Sequence, residues 1–387
     1  MVKILKIVKD LSLIGSIDVA AVSISAVFWF YVASLLGPTD YGEISFIVAI
    51  AQTASVVSLF GAPHVLIVYT AKNIRIHSAL SALTLMIGTV VSIILFLIYY
   101  NTEMSFLILG YIIFSLVTST LLGQKLFGEY AKFVLIQRGL MAILGIGLYF
   151  VLGNNGVIIG LTLSFVPYIF PIISGFKKYE CNFYLIRERS NFIFNAYFES
   201  LSAILITTLD KLIIASLFGF TLLGNYTLGM QFFLLLLVVP QIVWKYILPN
   251  DSVGIENKKL KQILIFVSIG LAFISFTLSP TLIELLFPQY YEAVDVVRII
   301  SLAIIPATIF TIYHSKFLGL EKSKYVFISS AILVIIQIIG IIVLGNLYQI
   351  QGIAFAIVLA YTCSSIYMIF QDKFECQKNQ NKNINGK

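Results

Sequence analysis

Charged residues are scarce in this sequence. Asp, Glu, Lys and Arg make up 11% of its 387 residues, whereas soluble domains carry about 25%. Hydrophobic residues make up 59%, and the mean hydropathy is +0.99. An ordinary soluble domain is therefore excluded, and a polytopic membrane protein is predicted. The formal net charge of +7 lies in short segments between apolar runs, which favours a basic membrane surface over nucleic-acid binding.

Cysteines and nucleotide- or metal-binding motifs are also few or absent. The three cysteines, Cys181, Cys363 and Cys376, are widely scattered, which indicates neither a disulfide framework nor a zinc site. No Walker A pattern, dinucleotide fingerprint or HExxH motif occurs, so ATP hydrolysis by this chain is not expected. We predict no cofactor and no bound metal, and we predict that the chain is not an enzyme.

Long apolar runs are abundant, and a membrane-spanning helix needs about 20 such residues. The predicted helices lie near residues 11–36, 43–69, 79–99, 104–123, 133–152, 157–176, 194–218, 222–248, 260–279, 294–317, 325–345 and 350–371. The first run is too long for a signal peptide and lacks a clear cleavage site, so we interpret it as a retained helix. These runs predict an all-α polytopic membrane protein with about twelve transmembrane helices.

Two pairs of segments indicate an internal duplication. The segment ASLLGPTDYG at 33–42 matches ASLFGFTLLG at 215–224, which is an offset of 182 residues. The segment VLGNNGVIIG at 151–160 matches VLGNLYQIQG at 343–352, which is an offset of 192 residues. The matches occur in the same order along the chain, as expected for a duplicated membrane transporter.

The connections between predicted helices alternate between basic and base-free segments. The basic ones contain Lys3, Lys6, Lys9, Lys72, Arg75, Lys125, Lys132, Lys177, Lys178, Arg187, Arg189, Lys258, Lys259, Lys261, Lys316, Lys322 and Lys324. This alternation predicts that both termini are cytoplasmic. Because each half has an even number of helices, we predict two parallel six-helix lobes, 1–176 and 194–371, joined by a cytoplasmic linker at 177–193. The polar tail at 372–387 is predicted to be disordered.

The seventh predicted helix carries the most informative charges. Asn195, Glu199, Ser202 and Asp210 share one helical face, and Lys211 projects about 100° away from Asp210. Ionisable groups in a spanning helix are costly, and they usually face a bundle interior or a water-filled cavity. One arrangement places Lys211 in a cavity as an anion-binding group while Asp210 bonds a neighbouring helix.

Other polar residues extend the candidate site. Asp18 lies on the first predicted helix, and His64 follows Gly61–Pro63 on the second, where proline is expected to bend the helix. Isolated carboxylates and an imidazole near neutral pH are candidates for ion coupling. A structural hydrogen-bonding role is the alternative for each of them.

Two arginines fall inside predicted helices. Arg298 lies near the base-free end of the tenth helix, where we expect it to extend to the lipid headgroups or to pair with Glu292 or Asp295. A role for Arg298 in binding pyrophosphate is the weaker alternative. Arg138 lies close enough to the basic end of its helix to be explained by extension to the headgroups.

Several segments together resemble a known transporter family. They are LLGPTDYGEISFIVAIAQTASVVSLFGAPHVLIVYTAK, TLDKLIIASLFGFTLLGNYTLGMQF, LLFPQYYEAVDVVRIISLA and FLGLEKSKY. In this order they resemble polysaccharide-biosynthesis flippases of the Wzx type, in the multidrug/oligosaccharidyl-lipid/polysaccharide (MOP) exporter superfamily. The resemblance implies two six-helix lobes around a central cavity, as in the multidrug and toxin extrusion (MATE) transporters.

The resemblance also implies a function. A Wzx-type protein moves an undecaprenyl-pyrophosphate-linked oligosaccharide across the cell inner membrane by alternating access, for assembly of lipopolysaccharide O-antigen, capsule or exopolysaccharide. The implied partners are this lipid-linked oligosaccharide, membrane lipids and other polysaccharide assembly proteins. No nucleic acid is implied.

The resemblance assigns roles to residues of this chain. It transfers the acid–base pair Asp210 and Lys211 and the acid Asp18. Where such sequences often carry a base, this chain has Val68. If that base contacts the substrate elsewhere, Lys72, Arg75 or Lys211 must replace it here.

Two other functions remain as alternatives. The first is a multidrug exporter of the same superfamily, which would have an aromatic, acidic cavity. The second is an integral-membrane glycosyltransferase or polysaccharide polymerase, which would need a sizeable extracytoplasmic loop with catalytic residues. The longest base-free connection, PTLIELLFPQYYEAVD, is short, which counts against this enzyme.

Overall fold

The computed structural model describes residues 2–72, 74, 76–178, 183–252, 257–320 and 322–385, and these residues are almost entirely helical. The helices are α1 (Val2–Leu35), α2 (Pro38–Leu59), α3 (Ala62–Ala71), α4 (His77–Tyr99), α5 (Thr102–Gly123), α6 (Phe127–Leu152), α7 (Asn154–Leu163), α8 (Ile169–Lys178), α9 (Tyr184–Glu188), α10 (Ser190–Phe218), α11 (Phe220–Ser252), α12 (Lys258–Leu286), α13 (Ala293–Gly319) and α14 (Ser323–Asn385). A 3-10 turn lies between α7 and α8, and no strand occurs in these residues. The predicted all-α class is confirmed.

The number of spanning helices is close to the prediction. In the described part of the chain, nine helices are long and apolar enough to cross a membrane, or ten if the bent α10 is one span. One of the nine, Lys324–Glu375, has 52 residues and is broken at Tyr348–Gln349, so it contains two predicted helices. In α1 the segment Val19–Leu35 forms a further, shorter apolar helix. Each predicted helix therefore corresponds to a helical segment.

The chain forms two compact units. Unit 1 comprises Met1–Leu36 and Glu43–Leu212, and unit 2 comprises Gly37–Gly42 and Ile213–Lys387. In unit 1, α6 packs on α1 and α7, while α5 packs on α3 and α4. In unit 2, α13 is central because it packs on α11, α12 and α14. The predicted lobes, with boundaries at 176 and 194, stay a prediction.

A sharp break separates α2 from α3, where the sequence predicts a bend. Phe60 and Gly61 have positive φ angles of 48° and 74°, which end the regular helix, and Pro63 lies in the first turn of α3. Gly61 also packs on the backbone of α10, where an added Cβ would lie 2.6 Å from the nitrogen of Tyr197. The left-handed conformation and the close approach both require glycine at this position.

The first pair of repeated segments meets in unit 2. Two of the contacting pairs, Thr39 with Thr221 and Gly42 with Gly224, are 182 positions apart. The hydroxyl oxygens of Thr39 and Thr221 lie 2.8 Å apart. Gly42 packs directly on the carbonyl of Phe220, and Gly224 packs on that of Pro38. The contact is reciprocal, as between copies related by a two-fold axis, and it supports the predicted duplication.

The second pair of repeated segments has a different register from the predicted one. Gly153, between α6 and α7, has φ 64° and ψ −144°, and Gln349, within α14, has φ 50° and ψ −132°. Three residues later, Gly156 and Gly352 each pack on a carbonyl eight residues earlier. The equivalent turns are therefore 196 residues apart, and the offset of 192 is wrong. A shift of four residues is about one helical turn, so sequence similarity alone did not separate the two registers.

Helix α14 continues to Asn385, through most of the segment 372–387, and the disorder predicted for this tail stays a prediction. The first turns of this extension contact Lys316 of α13 and Lys322, which lies just before α14. Asp372 pairs with Lys316 at 2.9 Å, and Glu375 pairs with Lys322 at 2.7 Å. The polar composition of the tail did not reveal these anchoring ion pairs.

Candidate functional site

The predicted acid–base pair lies just after a bend in α10. The segments Ser190–Ser202 and Thr207–Phe218 meet at an angle of 51°. The hydroxyls of Thr207 and Thr208 both donate to the carbonyl of Ile204, at 3.2 and 2.8 Å. Such side-chain bonds compete with the helical ladder and bend helices. The local sequence therefore accounts for the bend.

The bend interrupts the predicted polar stripe. Asn195, Glu199 and Ser202 lie before it and are exposed, and the hydroxyl of Ser202 donates to the carbonyl of Phe198 at 2.8 Å. Asp210 lies beyond it and is only 4% exposed. The straight stripe assumed from the sequence is therefore not continuous in the structure.

Asp210 and Lys211 have different surroundings although they are adjacent. One carboxylate oxygen of Asp210 accepts the backbone N–H of Lys211 at 2.8 Å. The Lys211 side chain is half-buried. Among the described residues, no carboxylate pairs with its ammonium group. The prediction that the two side chains need not pair is consistent with this geometry.

The other predicted coupling residues of unit 1 do not converge on Asp210 in the described contacts. His64 is exposed on α3. Near Asp210, α10 is instead linked to α2, through Thr53 and Thr208, whose hydroxyl oxygens are 3.1 Å apart. Asp18 has its backbone in α1, and its side chain lies outside the described part. The coupling roles of Asp18, Glu199, Asp210 and His64 remain hypotheses.

Basic residues gather where α3 and α5 end. Lys72 is exposed and follows α3 directly. A Cβ added to Gly123, at the end of α5, would lie 2.8 Å from the Cβ of Thr70, so the two helix ends touch. Lys125 is exposed two residues beyond this contact. Arg75, the other predicted anion-binding residue in this connection, lies outside the described residues.

The predicted linker contributes a further base to this region. Its residues 179–182 lie outside the described part, and α9 forms one short turn after them. The guanidinium of Arg189, just beyond α9, lies 5.2 Å from the centre of the Tyr69 ring on α3. Arg189 also contacts Glu188 at 3.6 Å. The linker thus packs on the end of α3.

Arg298 does not form the predicted ion pairs. Its guanidinium lies 5.7 Å from the centre of the Phe276 ring, and its Nε is buried without a hydrogen-bond partner. Glu292 instead accepts from Asn225 at 3.2 Å, and Asp295 accepts from Gln351 at 2.9 Å. The predicted pairing is wrong because other helices engage both acids. A role for Arg298 in substrate binding stays a prediction.

The longest base-free connection is shorter and more packed than its sequence indicates. Helix α12 continues to Leu286 and α13 begins at Ala293, which leaves residues 287–292 between them. Tyr290 is 1% exposed, and its ring packs edge-on against Tyr41 at 6.1 Å. Burial raises the pKa of Tyr290, with Tyr41 and Asp40 adding to the effect. This connection does not provide an open catalytic loop.

A cavity of about 490 Å³ lies between α5 and the segment formed by α7 and α8. Its walls are mostly apolar and include Phe106, Leu109, Ile113 and Phe165. Such a lining suits hydrocarbon chains and offers few hydrogen bonds to a sugar. The cavity is therefore not the predicted polar path.

Arg138 on α6, in unit 1, was not proposed as a site residue from the sequence. Its Nη1 lies 3.9 Å from the sulfur of Met141, which is one turn farther from the basic end. The Nε of Arg138 is buried without a hydrogen-bond partner. Extension to the headgroups at the basic end is therefore wrong for this side chain. The sequence signal was the absence of an acid within four residues on either side.

Comparison with solved structures shows the same fold in known membrane transporters. The lipid II flippase MurJ, in an inward closed conformation, matches with a TM-score of 0.74 at 16% identity, over 92% of this chain and 87% of that chain. An inward-facing multidrug resistance MATE family transporter of the MOP superfamily matches with a TM-score of 0.68 at 13% identity, over 93% and 95%. This chain has the MurJ and MATE fold.

An outward-facing structure of a MATE family transporter also matches, with a TM-score of 0.60 at 13% identity, over 95% of this chain and 94% of that chain. No protein-family model and no curated protein sequence matches the chain. At these identities the likeness establishes the fold alone. The charged residues placed by this fold therefore distinguish the candidate functions.

Proposed function

We propose that this protein is a Wzx-type flippase of the cell inner membrane, with both termini in the cytoplasm. It moves an undecaprenyl-pyrophosphate-linked oligosaccharide from the inner to the outer leaflet for surface polysaccharide assembly, including O-antigen or capsule. The sequence resemblance to Wzx proteins supports this substrate. The fold shared with a lipid II flippase and with MATE transporters supports transport rather than catalysis.

The observation that carries the proposal is the different state of the two charges on α10. The ammonium of Lys211 is half-buried and has no carboxylate partner among the described residues, whereas Asp210 accepts a hydrogen bond from its own helix. A binding site with uncompensated positive charge attracts anions and repels organic cations. A pyrophosphate-linked substrate fits this charge better than a cationic drug does.

The proposed mechanism separates the three parts of the substrate. The sugars pass through a hydrated polar cavity, the pyrophosphate is held by positive side chains, and the lipid tail stays in the bilayer. Transport follows alternating access. The bend in α10 and the break between α2 and α3 are positions where unit 1 can flex. Cation coupling through Asp18, Glu199, Asp210 or His64 belongs to this hypothesis.

A multidrug exporter is the second candidate, favoured by the TM-score of 0.68 to a MATE family transporter. The integral-membrane polymerase or glycosyltransferase is less favoured. Its expected extracytoplasmic loop is reduced to residues 287–292 because α12 and α13 occupy the rest of the segment. The lipid-linked substrate and the drug also differ in charge, so one assay separates these functions.

The decisive experiment is leaflet translocation of a lipid-pyrophosphate oligosaccharide in proteoliposomes, with and without a proton or sodium gradient. The wild-type protein should flip this lipid, and Lys211→Ala should lower the rate at least tenfold because the site loses its positive charge. Lys259→Ala, which changes an exposed lysine, is the matched control and should flip at the wild-type rate. An unchanged rate in Lys211→Ala would remove Lys211 from the site.

The same vesicles separate the two candidate functions. Efflux of a fluorescent organic cation, without translocation of several lipid-linked oligosaccharides, would replace the flippase by the exporter. A rate that responds to the proton or sodium gradient would identify coupled transport. A rate that is indifferent to both gradients would indicate facilitated movement.

A further inference from the structure

Arg138 lies deep in a membrane-spanning helix. It is eleven residues into α6, which has 26 residues, so it is about 16 Å of helical rise from Phe127. The hydrocarbon core is about 30 Å thick. Arg138 is therefore near the middle of the span, where an arginine side chain is costly unless it faces protein or water.

The side chain does not escape to the nearer headgroups. Its Nη1 approaches the sulfur of the buried Met141 at 3.9 Å, on the side away from Phe127. Its Nε is enclosed and makes no hydrogen bond. The residue as a whole remains half-buried. Because an arginine facing lipid at this depth would be strongly disfavoured, we expect the exposed part of Arg138 to face protein or water.

The neighbours of Arg138 are polar but neutral. The titratable groups near its guanidinium are Tyr111, Tyr130 and Tyr168, and Gln52 donates to the Tyr111 hydroxyl at 3.4 Å. Among the described residues, no carboxylate pairs with Arg138. The positive charge is therefore left uncompensated within the described part of unit 1. Charges removed from water normally have a partner, so we expect a partner from outside the described residues.

We propose that Arg138 binds the phosphate or diphosphate group of a lipid-anchored substrate. A guanidinium forms paired hydrogen bonds with phosphate oxygens and is the preferred group for partly buried phosphate sites. A ligand that reaches mid-membrane carries an apolar anchor, and phosphate esters are common anionic groups on such lipids. Gln52 and Tyr111 add hydrogen-bonding groups beside the charge. The identity of the anchor as a prenyl lipid rests on the proposed function.

The test is a binding titration on the purified full chain in detergent. The probes are farnesyl diphosphate, farnesol, inorganic pyrophosphate and phosphatidylglycerol. Arg138→Met should weaken binding of farnesyl diphosphate at least tenfold and leave binding of farnesol unchanged. Lys259→Ala, which changes an exposed lysine of unit 2, is the matched control and should bind all probes as the wild type does.

Thermal stability supplies a second readout, and it should stay the same or rise where binding falls. Removal of an uncompensated charge should not weaken the fold, so Arg138→Met should melt at or above the wild-type temperature. A variant that fails to fold would show that Arg138 is structural and would overturn the proposal. Wild-type binding of farnesyl diphosphate by Arg138→Met would overturn it as well.

The probes distinguish the source of the phosphate and separate this proposal from the flippase function. Arg138-dependent binding of phosphatidylglycerol, without binding of farnesyl diphosphate, would assign the residue to a membrane phospholipid and overturn the substrate role. Inorganic pyrophosphate bound as tightly as farnesyl diphosphate would contradict a lipid-anchored ligand. Arg138-dependent binding of the prenyl probe by a protein that flips no oligosaccharide lipid would overturn the flippase function and leave the anion site standing.

Discussion

The basic helix ends of the two units look alike in sequence but differ in structure. In unit 2, three lysines contact carboxylates: Lys261 with Asp251 at 2.8 Å, Lys316 with Asp372 at 2.9 Å and Lys322 with Glu375 at 2.7 Å. In unit 1, Lys72, Lys125, Lys132 and Arg187 have no carboxylate partner among the described residues. One sequence pattern therefore has two structural outcomes.

The difference shows that the loop bases do more than orient the chain in the membrane. In unit 2 they hold helix ends together, and Glu375 also accepts the Tyr325 hydroxyl at 2.7 Å. In unit 1 they leave positive charge available to anionic headgroups, which such bases attract. The uncompensated Arg138 and Lys211 belong to the same unit. We expect the exposed bases of unit 1 to attract anionic headgroups, while the three paired lysines of unit 2 stabilise the fold.

The largest expected effect comes from the most buried pair of unit 2. The side chains of Asp251 and Lys261 are 2% and 12% exposed, and Ser315 donates to Asp251 at 2.9 Å. Asp251→Ala leaves both partners without their acceptor and should lower the free energy of unfolding by about 3–5 kcal/mol. Thermal melting in detergent measures this. The double variant Asp251→Ala/Lys261→Met should recover much of the loss. An unchanged melting temperature in the single variant would show that this ion pair does not stabilise unit 2.

A smaller effect is expected from the pairs that anchor the end of α14. The side chains of Asp372 and Glu375 are about 20% exposed, so screening by water weakens their ion pairs. The variant Asp372→Asn/Glu375→Gln should lose about 1 kcal/mol and should accelerate hydrogen exchange across residues 372–385. Lys373→Gln, an exposed residue of the same helix, is the control. Equal exchange in both variants would show that the anchoring pairs do not hold this helix.

The smallest effect on stability is expected at the basic end of unit 1. Lys72→Ala/Lys125→Ala removes two exposed charges that have no described partner, so the melting temperature should stay at the wild-type value. Retention of phosphatidylglycerol, counted by native mass spectrometry, should fall severalfold because each base attracts anionic lipid. Lys259→Ala is the control. A clear drop in melting temperature with unchanged lipid retention would show that these bases stabilise the fold, as the paired lysines of unit 2 do.

The site was predictable in part. The separation of Asp210 from Lys211 followed from helical geometry and is consistent with their hydrogen bonds. The failure of Arg298 to pair with Glu292 was not predictable, because the competing donor is Asn225, 67 residues away in sequence. The orientation of Arg138 depended on packing around Met141. For Arg298 the competing contacts lie on other helices, about which helix periodicity carries no information. Met141 lies on the same helix as Arg138, but the sequence did not show that the side chain turns towards it.

The fold, like the site, was predictable from the sequence only in part. An all-α membrane protein and its helix positions followed from the amino-acid sequence, because hydrocarbon requires long apolar segments with internally bonded backbones. The bend at Gly61 followed from it as well. The repeat offset of 196 residues, given by the turns at Gly153 and Gln349, and the acids that lie beside particular bases became known only from the folded chain. Electrostatic energy depends on distances between residues far apart in the chain, and these distances exist only once the helices have packed.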